Sequence, residues 1–174
     1  MQKSTFKKYI KSLNEDELRE EIDRLFSKIP EVKHYYTLEL GSDADRKRIY
    51  DKVKRGLESK YRTKSFRRPR RPRIAKINAI LREVEKHAVY TFELGDVFLY
   101  NVECATTFAK KYYFESDPLT NVILKSYEKA CLYIRDALME DEFEDRLKEV
   151  IVNMKRYPNI AISMEQLYDR IIEA

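Results

Sequence analysis

The apolar positions of this chain recur at intervals of three and four residues along most of its length. Such spacing gathers apolar side chains on one face of an α-helix, so it predicts amphipathic helices rather than strands. Proline and glycine mark several expected ends: Pro30 separates two helices and can open the second, Gly41 ends the next, and Pro158 ends a later one. The pattern predicts eight or nine helices and no sheet.

Polar residues predict where individual helices begin. Asn14 is an expected N-cap, and three acidic residues follow it at the positive end of the helix dipole. Ser42 or Asp43 is expected to cap the fourth helix. Ser163, with Gln166 three residues later, resembles a capping box that opens the last helix. Short connections favour antiparallel packing, either in a closed bundle or in a short stack of helix pairs.

The most apolar part of the chain is residues 89–114, which predicts a central helix covered on most sides. Gly95 is a point at which this helix could split or bend. The next apolar face is expected to run from Leu119 to Leu138. A chain of 174 residues is most simply one domain, so residues 1–174 are predicted to form a single all-α domain.

Charge is concentrated in residues 60–76, here called the basic segment. Nine of the 35 basic residues of the chain lie in it and no acidic residue does, whereas the remainder has 26 basic and 30 acidic residues. Pro69 and Pro72 exclude a continuous helix, so residues 62–72 are predicted to connect two helices. The candidate anion-binding or partner-binding residues are Arg62, Lys64, Arg67, Arg68, Arg70, Arg71 and Arg73.

Several roles remain open for the basic segment. Its arginines suit phosphate groups, and Phe66 and Tyr61 could stack on bases of DNA or RNA. An acidic protein partner is an alternative, as is docking on the acidic surface of the same chain. A solvated loop without a partner is the simplest structural explanation.

Three carboxylates, Glu93, Asp96 and Glu103, are spaced to share one face of the helix predicted over residues 89–114 and are here called the acidic stripe. They could accept arginines from the basic segment, ligate a metal, or form the one solvent-facing edge of the helix. A di-iron bundle would also need Glu-x-x-His pairs. The two histidines, His34 and His87, are isolated in the sequence.

Sequence motifs for catalysis are lacking in this chain. It has no Gly-x-Ser-x-Gly, Walker or Gly-x-Gly-x-x-Gly motif, and three glycines in total. Cys104 and Cys131 fall on apolar helix faces and are expected to be reduced core residues. We therefore expect no enzyme activity, no cofactor and no metal.

The beginning of the sequence has no apolar signal-peptide region, and no run of 18 apolar residues occurs. These features lead to the expectation of a cytoplasmic protein without a membrane span.

Three stretches resemble a family of small, all-helical, uncharacterised bacterial proteins. They are K-K-Y-I-K-S-L-N-E-D-E-L at 7–18, P-E-V-K-H-Y-Y at 30–36 and S-Y-E-K-A at 126–130. The family pattern begins with a K-K-Y-x-K-S-L-x-x-E-E-L-like sequence. The resemblance implies a helical fold and a bacterial cytosolic setting, and it implies no site residue.

Thirteen tyrosines, several of them in pairs, offer either outward interface contacts or a half-buried rim. The leading hypothesis from the sequence is a non-catalytic helical adaptor that binds a protein partner or itself. The alternative is a nucleic-acid-binding protein that uses the basic segment as an electrostatic arm.

Overall fold

The computed structural model describes residues 2–88 and 90–173. Within these residues the chain forms nine α-helices and no strand, which confirms the all-α prediction. The helices are α1 (Lys3–Ser12), α2 (Glu15–Lys28), α3 (Pro30–Leu40), α4 (Asp43–Tyr61), α5 (Ile74–His87), α6 (Thr91–Tyr112), α7 (Asp117–Asp136), α8 (Glu140–Asn153) and α9 (Pro158–Ile171).

The chain divides into two compact units; the first ends at Arg46 and the second begins at Lys47. The single-domain organisation therefore stays a prediction. In the first unit α2 packs against α3, and Phe26 approaches Tyr36 with ring centroids 6.3 Å apart. Among residues 2–46, Leu38 alone is buried. This unit thus has a small core.

The helices of the first unit begin and end at the capping, proline and glycine residues that the sequence predicts. Asn14 accepts a hydrogen bond from the backbone N–H of Glu17, whose side chain accepts one from the N–H of Asn14. Pro30 is the first residue of α3, and Gly41 follows its last. The hydroxyl of Ser42 accepts from the N–H of Asp45 at the start of α4.

The second unit is built around α6, which is buried over most of its length. Its most extensive contact is with α7, and it also packs against α5 and α8. A chain of buried hydrogen bonds crosses this core: Tyr61 donates to Asn101 over 2.9 Å, and Asn101 donates to Ser126 over 3.0 Å. These bonds tie the end of α4 to α6 and α7.

Gly95 does not split α6, because the helix runs unbroken through it. Its role is to let α7 approach closely. A Cβ atom at this position would lie 2.7 Å from Cγ1 of Ile134 and 3.3 Å from its backbone nitrogen. The absence of a side chain therefore sets the distance between the two helices.

Two predictions from the sequence were wrong near the ends of the later helices. Ser163 does not open α9, which begins at Pro158; its hydroxyl instead donates to the carbonyl of Asn159, one turn earlier in the same helix. Leu138 does not continue the buried face of α7. The helix ends at Asp136, Leu138 has a φ of 56°, and it is 85% exposed.

No helix in residues 2–88 and 90–173 is long and apolar enough to cross a membrane.

We expect Gly95→Ala to destabilise the protein by about 1–3 kcal/mol, because the new methyl group overlaps Ile134 where α6 meets α7. Gly56→Ala is the matched control. A Cβ there meets only Cδ1 of Ile80, at 3.8 Å, so helix propensity should leave stability unchanged or raise it by about 0.5–1 kcal/mol. Urea unfolding of both variants measures the difference, and equal stabilities would contradict the close-approach explanation.

Candidate functional site

The connector between α4 and α5 comprises residues 62–73, one residue longer than predicted. Every one of its candidate binding residues is exposed: Arg62, Lys64, Arg67, Arg68, Arg70, Arg71 and Arg73. The basic groups of the connector therefore face solvent.

Hydrogen bonds to two hydroxyl groups organise the connector. The hydroxyl of Thr63 accepts from the backbone N–H of Arg70 at 3.0 Å and from that of Ser65 at 3.4 Å. The hydroxyl of Ser65 accepts from the N–H of Arg68 at 3.3 Å. Thr63 thus closes a loop of eight residues and fixes the backbone that carries the central arginines.

The connector is also anchored by apolar contacts. Pro72 is buried, whereas Pro69 is half-buried. Phe66 packs on Tyr112 in the last turn of α6, with ring centroids 5.6 Å apart, and Tyr112 in turn packs on Phe108 at 4.9 Å. Phe66 nevertheless remains 65% exposed, so much of its ring is available for a further contact.

Few of the basic side chains of the connector form ion pairs within the described part of the protein. Arg62 pairs with Glu58 over 3.0 Å, on the preceding turn. In the described part of the chain, the arginines at positions 67, 68, 70, 71 and 73 form no ion pair with a carboxylate. Their charges are therefore left to solvent ions.

The end of α6 adds further basic and aromatic groups beside Tyr112. Lys111 lies over the ring of Tyr112, and Lys110 donates to the side chain of Asn153 over 2.8 Å. Tyr113, in the left-handed conformation with φ of 51°, is 64% exposed and carries the guanidinium of Arg156 4.2 Å from its ring. We name these groups, together with the basic segment, the basic face.

The acidic residues of α6 have other partners. Arg146 of α8 donates to Asp96 at 2.8 Å and to Glu103 at 2.7 Å, and Lys54 of α4 forms an ion pair with Asp96. Glu93 is buried, at 8% exposure. Asp96 and Glu103 therefore join α4, α6 and α8 through these contacts, none of which involves the basic segment.

Burial disfavours the charge of Arg146, but hydrogen bonds to Glu103 and Asp96 outweigh that effect and raise its pKa. The guanidinium therefore stays ionised. No group of three or more His, Cys, Asp and Glu side chains suited to a metal ion occurs in residues 2–88 and 90–173.

A groove of about 450 Å³ runs along α6 beside the connector. It is lined by Glu58, Tyr61, Arg62, Thr63, Tyr100, Glu103, Cys104, Thr107, Phe108, Lys111 and Tyr112. Burial raises the pKa of the Cys104 thiol to about 12, and burial likewise raises the pKa of Tyr100 to about 12. Both groups are neutral near pH 7, so Cys104 is not a thiolate nucleophile.

A second cleft, of about 560 Å³, lies between α5, α6 and α7. Glu85 at its edge contacts Lys129 at 2.5 Å and accepts a hydrogen bond from Tyr133. Burial works to raise the pKa of Glu85, but the bonds from Lys129 and Tyr133 prevail and lower it. This cluster joins α5 to α7, and we assign it a structural role.

The fold and the site together define an all-α protein with an exposed basic and aromatic face. Comparison with family models identifies the chain as a member of a family of unknown function, DUF6155, over residues 1–173. This confirms the resemblance to an uncharacterised family; a bacterial origin stays a prediction. Searches of curated proteins and of solved structures found no match.

Several residues of the site were not singled out from the sequence. Lys110, Lys111 and Arg156 are distant from the basic segment along the chain, and the contact between Phe66 and Tyr112 brings the end of α6 to it. Arg146 lies among acidic residues of α8 and resembles an ordinary surface charge. The one available signal was Lys110-Lys111 next to Tyr112-Tyr113, which repeats the basic–aromatic composition of the connector.

We expect Arg146→Ala to destabilise the protein by about 1–3 kcal/mol, because two partly buried carboxylates lose their shared donor. Arg170→Ala is the control: its pair with Glu128 is more exposed, and its loss should cost less than about 1 kcal/mol. Thermal and urea unfolding compare the two variants. An equal, small effect would show that the acidic stripe does not join the helices.

Proposed function

We propose that this protein is a non-enzymatic binding protein that holds single-stranded nucleic acid on its basic face. The observation that carries the proposal is the exposed arginine set of the ordered connector, with a largely exposed Phe66 among them. Arginine forks pair with phosphate oxygens, and aromatic rings stack on unpaired bases. A single strand offers both groups at once.

The order of the connector supports binding without prior folding. Thr63 and Pro72 fix its backbone, so less conformational entropy remains to be lost when a ligand binds. Lys111 and Arg156 extend the positive charge past the connector, and Tyr113 adds a second exposed ring. This number of cations suits a strand of several nucleotides better than one phosphate group.

The charge distribution also favours binding of a polyanion at one region over weak attraction across the whole surface. Outside the basic segment the chain has four more acidic than basic residues, so anions are attracted to one region. A cytoplasmic setting, as expected from the sequence, is compatible with such a ligand.

A second candidate is the adaptor role, which apolar side chains of the first unit favour. Phe6, Tyr9 and Ile10 of α1 and Ile22 and Phe26 of α2 are each between 37% and 43% exposed. Exposed apolar groups of this kind are common in surfaces that bind other proteins. A protein partner would use this unit rather than the basic face.

We expect a fluorescent 15-nucleotide single strand to bind at 50 mM salt and to dissociate as salt rises. Changing Arg67, Arg68, Arg70 and Arg71 to Ala removes up to four phosphate contacts, which should reduce the slope of log affinity against log salt by about 3. Fluorescence anisotropy across a salt series measures both quantities.

The control changes Lys47, Lys52, Lys86 and Lys125 to Ala, which alters the net charge equally but leaves the basic face intact. This variant should keep most of the slope. Absence of binding at 50 mM salt, or the same loss in both variants, would overturn the proposal and leave the adaptor role as the better explanation.

A further inference from the structure

The groove along α6 adjoins the basic face and shares residues with it. Arg62 and Thr63 belong to both, and Lys111 lies where the groove meets the end of α6. A strand held by the connector therefore passes the opening of the groove. Its volume of about 450 Å³ is within the range of small-molecule sites, which is ample for one base.

The walls of the groove are aromatic. Tyr100 and Tyr112 line it on α6, together with the buried rings of Tyr61 and Phe108. The rings of Tyr61 and Phe108 are 6.3 Å apart and only 6% and 3% exposed, and Phe108 is 4.9 Å from Tyr112. They form an apolar floor, and the half-buried rings of Tyr100 and Tyr112 offer the accessible surface. Such a surface suits the face of a nucleobase, which proteins bind by stacking.

The polar groups of the groove include two carboxylates, those of Glu58 and Glu103, beside the cations Arg62 and Lys111. Glu58 uses its Oε1 for Arg62, at 3.0 Å, and Glu103 uses its Oε1 for Arg146, at 2.7 Å. A carboxylate accepts up to about four hydrogen bonds, so each of these retains acceptor capacity toward the groove. The arginines also hold both carboxylates in place. A ligand that binds these carboxylates should therefore present N–H donors.

We propose that the groove binds an unpaired guanine base of the single strand, an inference that rests on the function proposed above. Guanine carries adjacent N1–H and N2–H donors on its Watson–Crick edge, and one carboxylate can accept both. Uracil and thymine present carbonyl oxygens on either side of N3–H, which a carboxylate repels. Adenine and cytosine offer one exocyclic amine. The expected order of preference is guanine, then cytosine and adenine, then uracil.

The test measures anisotropy of U15 RNA and of the same RNA with one central guanine, inosine or adenine. Wild-type protein should bind the guanine strand about tenfold more tightly than U15. Inosine lacks the N2 amine and should lose most of this preference. Thr107→Trp fills the groove and should abolish the difference between the guanine strand and U15. Ile162→Trp, at an exposed position of α9, is the control and should retain it.

Two results separate this inference from the proposed function. Equal binding of all four strands by wild-type protein would overturn the guanine site while leaving the basic face as a nucleic-acid interface. The same holds if Thr107→Trp keeps the preference for guanine. If no strand binds at 50 mM salt, a titration with guanosine 5′-monophosphate, followed by NMR shifts at Tyr100, tests the groove alone. Shifts there that Thr107→Trp removes would support a guanine site without the polymer, and their absence would overturn both proposals.

Discussion

The close approach of α7 to α6 at Gly95 is the contact on which the second unit depends. No side chain separates the two helices there, so Ile134 reaches the backbone of α6. This contact fixes α6 in position and rotation. Asn101 can then bridge Tyr61 and Ser126, and the face of α6 from Tyr100 to Tyr112 is directed toward the connector. The surface that α6 presents beside the connector is thus set by core packing.

The acidic residues of α6 and the arginines of the connector lie in different environments. The carboxylates Asp96 and Glu103 are partly covered and share Arg146, so they serve to join helices. The arginines of the connector are exposed and are left to solvent ions. Ion pairs that are partly buried contribute to helix packing, whereas exposed charges contribute little to stability and remain available to a ligand. This division is the strongest physical reason to look for a function in the connector.

Features that depend on local sequence were predictable. The N-cap at Asn14, the opening of α3 at Pro30 and the non-helical connector follow from side chains acting on their own backbone. Ser163 shows the limit of such signals, because Pro158 began the helix earlier and left the serine in its interior. Leu138 continues the helical spacing of apolar residues in α7, but the helix ends at Asp136 and Leu138 has a φ of 56°.

The site itself was predictable only in part. The concentration of arginine was visible in the sequence, whereas the partners of the acidic stripe were not, since Arg146 lies 43 residues from Glu103. The groove was also hidden, because it forms only when the end of α4 and the connector meet α6. Residues from three separate elements create its shape, and helical periodicity does not specify how such elements meet.

The order of the connector has a thermodynamic consequence. Seven cations are confined to twelve consecutive residues, and hydrogen bonds to Thr63 and Ser65 prevent the backbone from spreading them apart. The folded protein therefore carries internal repulsion that the unfolded chain can relax. A polyanion that neutralised these charges would relieve that repulsion, and this relief would add to its affinity. Binding and folding would then be linked, and the ligand would stabilise the fold.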